Sequence, residues 1–159
     1  MNRVAVNSPD FPLPGWGSSL KKFAKKVLGE LGINNWELSV MLCADDTIRV
    51  LNSRFRGKNQ ATDVLSFTQT ETNTFPDKQP GSEGMFIPGD IVISLDSLEK
   101  NALRFRVSED EELRRLLIHG ILHLDGKDHQ SNRRTEPMLL LQEQILAKFA
   151  DVHIMEFDS

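Results

Sequence analysis

The sequence predicts a single α+β domain over residues 1–159, with one four-stranded sheet covered by helices. Three observations carry that expectation. Short apolar or alternating runs suited to strands are interleaved with longer runs at helical spacing, and the strands lie before residue 95. Glycine, proline and aspartate mark the junctions between them. With 159 residues, 39% hydrophobic and 26% charged, the chain can build one sizeable core but not two comfortable ones.

Val4–Val6 reads as a short strand, followed by a proline-rich entry from Pro9 to Pro14. A helix begins at Ser18 or Ser19, where Leu20, Phe23, Ala24, Val27, Leu28 and Leu31 recur at helical spacing, and Gly32 stops it. Trp36–Leu42 alternates at period two and reads as a strand. Asp45 or Asp46 is expected to cap a second helix carrying Ile48, Leu51 and Phe55, which Gly57 ends. Val64–Phe67 is the third strand. Thr68–Gly84, polar with two prolines and two glycines, reads as a surface loop. Ile87 and Ile91–Ser94 mark the fourth extended run, entered through turn residues Pro88-Gly89-Asp90. A helix over Leu95–Phe105 follows, then one opened by a Ser108/Glu111 capping box and carrying Leu113, Leu116, Leu117 and Leu124. A last helix covers about Thr135–Phe149, with Pro137 tolerated in its first turn.

Composition narrows the function. No basic region with a following apolar run opens the chain, and no apolar stretch approaches 18 residues, so no membrane segment is expected. Cys43 is the one cysteine, which excludes an internal disulfide and makes a reducing cytoplasm the default location. Its apolar, alternating surroundings suit a buried strand residue. A net charge of −4 argues against nucleic-acid binding driven by bulk charge. Basic residues are nonetheless clustered: Lys21, Lys22, Lys25 and Lys26; Arg49, Arg54, Arg56 and Lys58; Arg114, Arg115, Arg133 and Arg134. Each cluster suits a solvated helix face, and three together hint at a polyanionic partner.

The most informative stretch is His119 to His129, which holds three of the four histidines. Residues four apart share a helix face, so His119 and His123 can point the same way. Gly126 can end that helix in the left-handed conformation and return His129 to the same point. One histidine on an apolar helix is ordinarily a hydrogen-bonded core residue. A pair at this spacing plus a third after a glycine turn reads instead as a three-nitrogen metal site with an open position, the form of a catalytic zinc site. Imidazole ligation favours zinc, while nickel and copper also accept it. The spacing matches the extended histidine pattern of metzincin proteases, except that Gly120 stands where those enzymes carry their glutamate base. Water on a metal is acidified by the metal's charge alone, so hydrolysis remains available.

With those segments placed, the chain resembles the YbeY family, bacterial rRNA maturation factors described as metal-dependent single-strand endoribonucleases. Three blocks carry the likeness. The first is Leu51-Asn52, Phe55-Arg56-Gly57-Lys58 and Ala61-Thr62-Asp63-Val64-Leu65-Ser66-Phe67. The second is Gly89-Asp90-Ile91-Val92-Ile93. The third is the histidine run, with Gly120, Leu122, Leu124, Gly126 and Asp128 in register. Together they span about half the chain. The resemblance implies a mostly parallel sheet, zinc on His119, His123 and His129, and a functional arginine at Arg56. It also implies 16S rRNA 3′-end processing, ribosome quality control and work with the small ribosomal subunit. Two positions depart from the pattern: Lys127 stands where an aromatic residue is expected, and Asp125 where an apolar one is.

Residue by residue, alternatives stay open. Arg56 alone reads as a helix-end arginine facing the helix dipole, and the family likeness makes it the group that would stabilise charge on phosphoryl oxygens. Asp128 is either a carboxylate orienting an imidazole N–H or a turn aspartate bonded to its own backbone. His153 lies outside the ligand spacing and reads as a surface residue. Without a glutamate base the site suits RNA, where water on the metal can attack phosphorus or help the ribose 2′-OH do so. The rival readings are an atypical zinc peptidase, and a ribosome-associated module that binds zinc, rRNA and ribosomal proteins without turnover.

Overall fold

The computed structural model describes residues 1–72 and 84–155. Strands β1 (Arg3–Asn7), β2 (Glu37–Cys43), β3 (Val64–Thr68) and β4 (Gly89–Ser94) form one sheet in the order β1-β2-β4-β3. β1 pairs with β2 and β2 with β4 in parallel, while β3 runs antiparallel to β4. The sheet is therefore four-stranded, mixed and mostly parallel, as the sequence and the resemblance together led us to expect. Parallel neighbours need a crossover, and α1 (Gly17–Glu30) supplies the one between β1 and β2.

Period two sorts the strand residues onto two faces. Ile91 and Ile93 of β4, with Leu38, Val40 and Leu42 of β2, enter the larger core. Against them pack Leu20, Phe23, Val27 and Leu28 of α1, and Leu113, Leu117 and Ile121 of α5 (Glu109–Leu124). Val92, Cys43 and Phe67 point the other way, where Ile48, Leu51 and Phe55 of α2 (Asp45–Arg56) cover them. α4 (Leu95–Phe105) and α6 (Pro137–Lys148) add Leu98, Met138, Ile145 and Leu146 to the larger core. Each fully buried aliphatic side chain contributes about 1.5–3 kcal/mol through lost apolar surface. On α1, Lys22, Lys25 and Lys26 are exposed opposite the buried stripe.

Several local expectations change. Neither Asp45 nor Asp46 caps α2. Both lie in its first turn, Ala44 holds the cap position, and no side chain of the cap residue bonds the helix. The terminal N–H groups are instead satisfied from outside the helix: Asp10 accepts from Ala44 at 2.9 Å and Asp96 from Asp45 at 2.9 Å. The segment read as a loop from Thr68 begins with the end of β3 and a short helix, α3 (Gln69–Thr72), while 73–83 lie outside the described residues. Gly89 and Asp90 belong to β4 and are not a turn before it. Trp36 precedes β2 and forms an isolated bridge with Phe86. Only half of the capping box forms: Ser108 Oγ accepts from Glu111 N–H at 3.0 Å, while the Glu111 carboxylate pairs with Arg115. Cys43 is fully buried, and burial, with the Asp10 and Asp45 carboxylates nearby, pushes its thiol up to about 12. Among the described residues no helix is long and apolar enough to cross a membrane.

Candidate metal centre

Helix α5 is built to start and stop where it does. Glu109, Asp110, Glu111 and Glu112 fill its first turn, where carboxylates suit the positive end of the helix dipole. At the other end Gly126 has φ +86°, its N–H bonds His123 O at 3.0 Å, and Lys127 N–H bonds Leu122 O at 3.0 Å. That is the paired bonding of a Schellman motif, which needs the left-handed residue glycine supplies. The chain reverses there and brings His129 back to the helix.

The three histidines converge. Ring centroids are 4.6 Å apart for His119 and His123, 5.4 Å for His119 and His129, and 5.5 Å for His123 and His129. One nitrogen from each lies within 4.8 Å of the others, so the group could hold a metal ion. His119 Nε2 and His123 Nε2 are 3.1 Å apart, near the separation of about 3.3 Å that two nitrogens at zinc–imidazole distances would take.

Two features of the donor set suit a cation. His119 Nδ1 lies 2.7 Å from Gln142 Oε1, and His129 Nδ1 lies 2.8 Å from the Ser131 carbonyl. Each oxygen accepts a hydrogen bond from Nδ1–H, leaving the Nε2 lone pair of that ring available. Burial lowers the His119 pKa against the hydrogen bond to Gln142, and burial lowers that of His123, helped by the neighbouring His119 and His129. Both rings are therefore held in the neutral form that a ligand requires. Ser131 Oγ also donates to Glu136 at 2.9 Å, which ties the His129 turn to the start of α6.

Gln142 and Ser131 were not singled out in the sequence. Gln142 left a trace: it sits between Met138 and Ile145 at helical spacing, a polar residue on the buried stripe of α6. Ser131 left none, because it acts through its backbone carbonyl.

The other candidates are placed as follows. Asp128 Oδ1 accepts the backbone N–H of His129 at 2.8 Å, while the His129 imidazole is held by Ser131. Arg56 approaches β3 from the α2 side, with its guanidinium 4.9 Å above the Phe67 ring. It bonds the Ser66 carbonyl at 2.9 Å and pairs with Glu71. Ser66 Oγ reaches 3.3 Å to the carbonyl of Gly120, the residue after His119, so one side chain separates Arg56's anchor from the metal helix. The two departures from the family pattern pair with each other, Lys127 Nζ lying 2.6 Å from Asp125 Oδ2 beside the Gly126 turn. His153 stands apart from the triad and bonds Asp110 at 3.0 Å.

The basic cluster near the histidines divides. Arg114 is buried against Asp110 at 2.9 Å, and Arg115 bonds Glu111 and Glu143. Arg133 and Arg134 are exposed. Glu112 is 2% exposed, with Oε2 lacking a hydrogen-bond partner among the described residues and Arg115 3.6 Å from Oε1. Burial raises its pKa.

Comparison with known proteins gives the chain its relatives. A family model described as Endoribonuclease YbeY matches residues 9–150. An Endoribonuclease YbeY of Treponema pallidum (strain Nichols) is 43% identical over 152 residues, covering 96% of this chain and 92% of the relative. Its namesake in Treponema denticola is 41% identical over 155 residues, covering 96% and 97%. That of Borreliella afzelii is 47% identical over 127 residues, covering 79% and 82%. The solution structure of TM1509 from Thermotoga maritima matches with a TM-score of 0.55 and 25% identity, over 98% of this chain and 97% of that one. Spanning nearly the whole chain, these matches show that it belongs to the YbeY endoribonuclease family.

Proposed function

We propose that residues 1–159 act as one domain, a zinc-dependent, single-strand-specific endoribonuclease of rRNA maturation. Its substrate would be the 3′ end of 16S rRNA on or near the small ribosomal subunit, in the cytoplasm, with ribosome quality control as the wider role. The observation that carries the proposal is the convergence of His119, His123 and His129, two of them with Nδ1 given to a fixed oxygen. That donor set suits a divalent ion with imidazole preference, zinc above nickel or copper in this reading. Relatives named Endoribonuclease YbeY, matched over most of their length, supply the reaction class.

A bound divalent ion would supply Lewis acidity and an acidified water. The chain's own residues supply the rest. His119, His123 and His129 would hold the ion, two from α5 and one from beyond the Gly126 turn. Arg56, with a flat, permanently charged guanidinium, stabilises negative charge gathering on phosphoryl oxygens. Asp128, by fixing the His129 backbone, keeps the third ligand in place. The exposed Arg133 and Arg134 contact the RNA backbone.

The test is cleavage of a short single-stranded RNA by the wild type and by a His119→Ala/His123→Ala variant purified in parallel. The wild type should cut internally, and the variant should be inactive. Equal activity in the two preparations would mean a contaminating nuclease and would overturn the proposal.

A further inference from the structure

We propose that Gln142 is a positioning residue of the metal centre, holding His119 in the one tautomer that leaves Nε2 free. The inference rests on the reading of the three histidines as metal ligands, and it adds a residue on a different helix that decides whether His119 can serve as one.

The constraint on Gln142 starts at Glu143. Arg115 Nε donates to Glu143 Oε2 at 3.1 Å and its Nη2 to Oε1 at 3.2 Å, a two-point clamp that fixes the carboxylate. Gln142 Nε2 lies 3.2 Å from Glu143 Oε2. An ionised carboxylate accepts hydrogen bonds and donates none, so the Gln142 amide must turn its NH2 toward Glu143. Its carbonyl Oε1 then faces His119 Nδ1 at 2.7 Å. A carbonyl also only accepts, so Nδ1 carries the proton and Nε2 presents a lone pair. The proton's place on His119 thus follows from a charge two residues removed.

The layout of the helices makes this rigid. Arg115 and His119 are four apart on α5 and share a face, while Gln142 and Glu143 are neighbours on α6. Two rungs, Arg115–Glu143 and His119–Gln142, therefore join the helices side by side. Gln142 is 7% exposed on a stripe otherwise occupied by Met138, Ile145 and Leu146. A buried amide is costly unless its hydrogen bonds are made, and here both ends have a partner. Without the Glu143 constraint the amide could turn over and donate to Nδ1. That would place the proton on Nε2 and block the ligand.

The imidazole tautomer is read by long-range ¹H–¹⁵N NMR on metal-free protein, and zinc affinity by competition with a chromophoric chelator. The wild type should show His119 protonated at Nδ1. Gln142→Met, similar in size but without an acceptor, should mix the tautomers and weaken zinc about 10–100-fold. Gln142→Glu, which keeps an acceptor, should restore the tautomer and at least wild-type affinity. Glu143→Ala should fall between, with the rest of the fold unchanged by circular dichroism. Gln142→Met with an unchanged tautomer and affinity would overturn the proposal, as would Gln142→Glu no better than Gln142→Met. Should Gln142→Met fail to fold, the Gln142→Glu and Glu143→Ala pair still decides it, since only a positioning role separates them in tautomer. Wild-type protein that binds no zinc would fail the proposed function instead, and the NMR result on His119 would stand by itself.

Discussion

A Cβ placed on Gly120 would lie 2.8 Å from Ile91 Cγ2 and 2.9 Å from its Cδ1. Glycine at this position lets α5 lie against β4, whose Ile91 is fully buried. In the sequence Gly120 stood out as a missing protease base, and the structure supplies a packing reason for it. A glutamate here would be driven into the sheet. Gly120→Ala should destabilise the fold by up to about 2 kcal/mol, because overpacking of about 1–3 kcal/mol outweighs the gain of about 1 kcal/mol in helix propensity. Gly120→Glu should fold poorly and gain no peptidase activity. A stable Gly120→Glu protein that cuts peptides would contradict this reading. Denaturant melts with a peptide-library assay make the check.

Arg56 separates activity from stability. Its side chain is 34% exposed and pairs with a partly exposed Glu71, so the ion pair is worth at most about 1 kcal/mol. Charge stabilisation in a transition state is worth much more, about 10²–10³ in rate. Arg56→Ala should therefore lower RNA cleavage by about that factor while zinc content and melting temperature stay near wild type. Near-normal cleavage would make Arg56 a structural clasp between α2 and β3.

Asp45 gives the fold a pH dependence at the acid end. Burial raises its pKa, but hydrogen bonds from Lys100, Ser97 and Ser94 more than offset this and hold the carboxyl at about 2, below its ordinary 3.8. The folded state thus binds fewer protons than the unfolded one. The stabilisation is present above pH 3.8 and is lost as pH falls through about 2. Asp45→Asn should melt lower than wild type at pH 7, and the two curves should converge toward pH 2. A constant gap across that range would contradict the assignment.

Glu112 should behave in the opposite sense. Its pKa is raised above 4.5 by burial, so its contribution is fully present below 4.5 and lost as pH rises through the folded value. Glu112→Gln removes that penalty. The variant should be more stable than wild type at neutral pH and indistinguishable from it below 4.5. A loss of stability at neutral pH would mean that the contact with Arg115 outweighs the burial of the charge.

Period and punctuation made much of this molecule legible. Alternation located β2 and the continuous run Ile91–Ser94 located β4, because both feed side chains to buried faces. Gly57 and Gly126 marked helix ends because their positive φ is costly for other residues. The convergence of His119, His123 and His129 was readable because helical spacing plus one glycine turn leaves few other arrangements. What was not readable came from contacts between distant segments. Asp10 and Asp96 satisfy the start of α2 from 34 and 51 residues away, so the local Asp45 looked like the cap. Arg114 and Arg115, grouped with Arg133 and Arg134 in a basic cluster suited to a solvated helix face, are instead taken up by Asp110 and by Glu111 and Glu143. Gln142 looked like an ordinary helix residue, because its partner His119 lies 23 positions earlier.

The proposed function stands or falls with the three-histidine centre as the seat of RNA cleavage. The most direct measurement strips the protein with chelator, adds zinc back stepwise, and follows binding and cutting of a single-stranded RNA carrying the 16S 3′-end sequence together. Cleavage should disappear on stripping and return in full at one zinc per chain, while RNA binding changes little. Cleavage that survives stripping, or RNA bound without cleavage at full zinc occupancy, would contradict it.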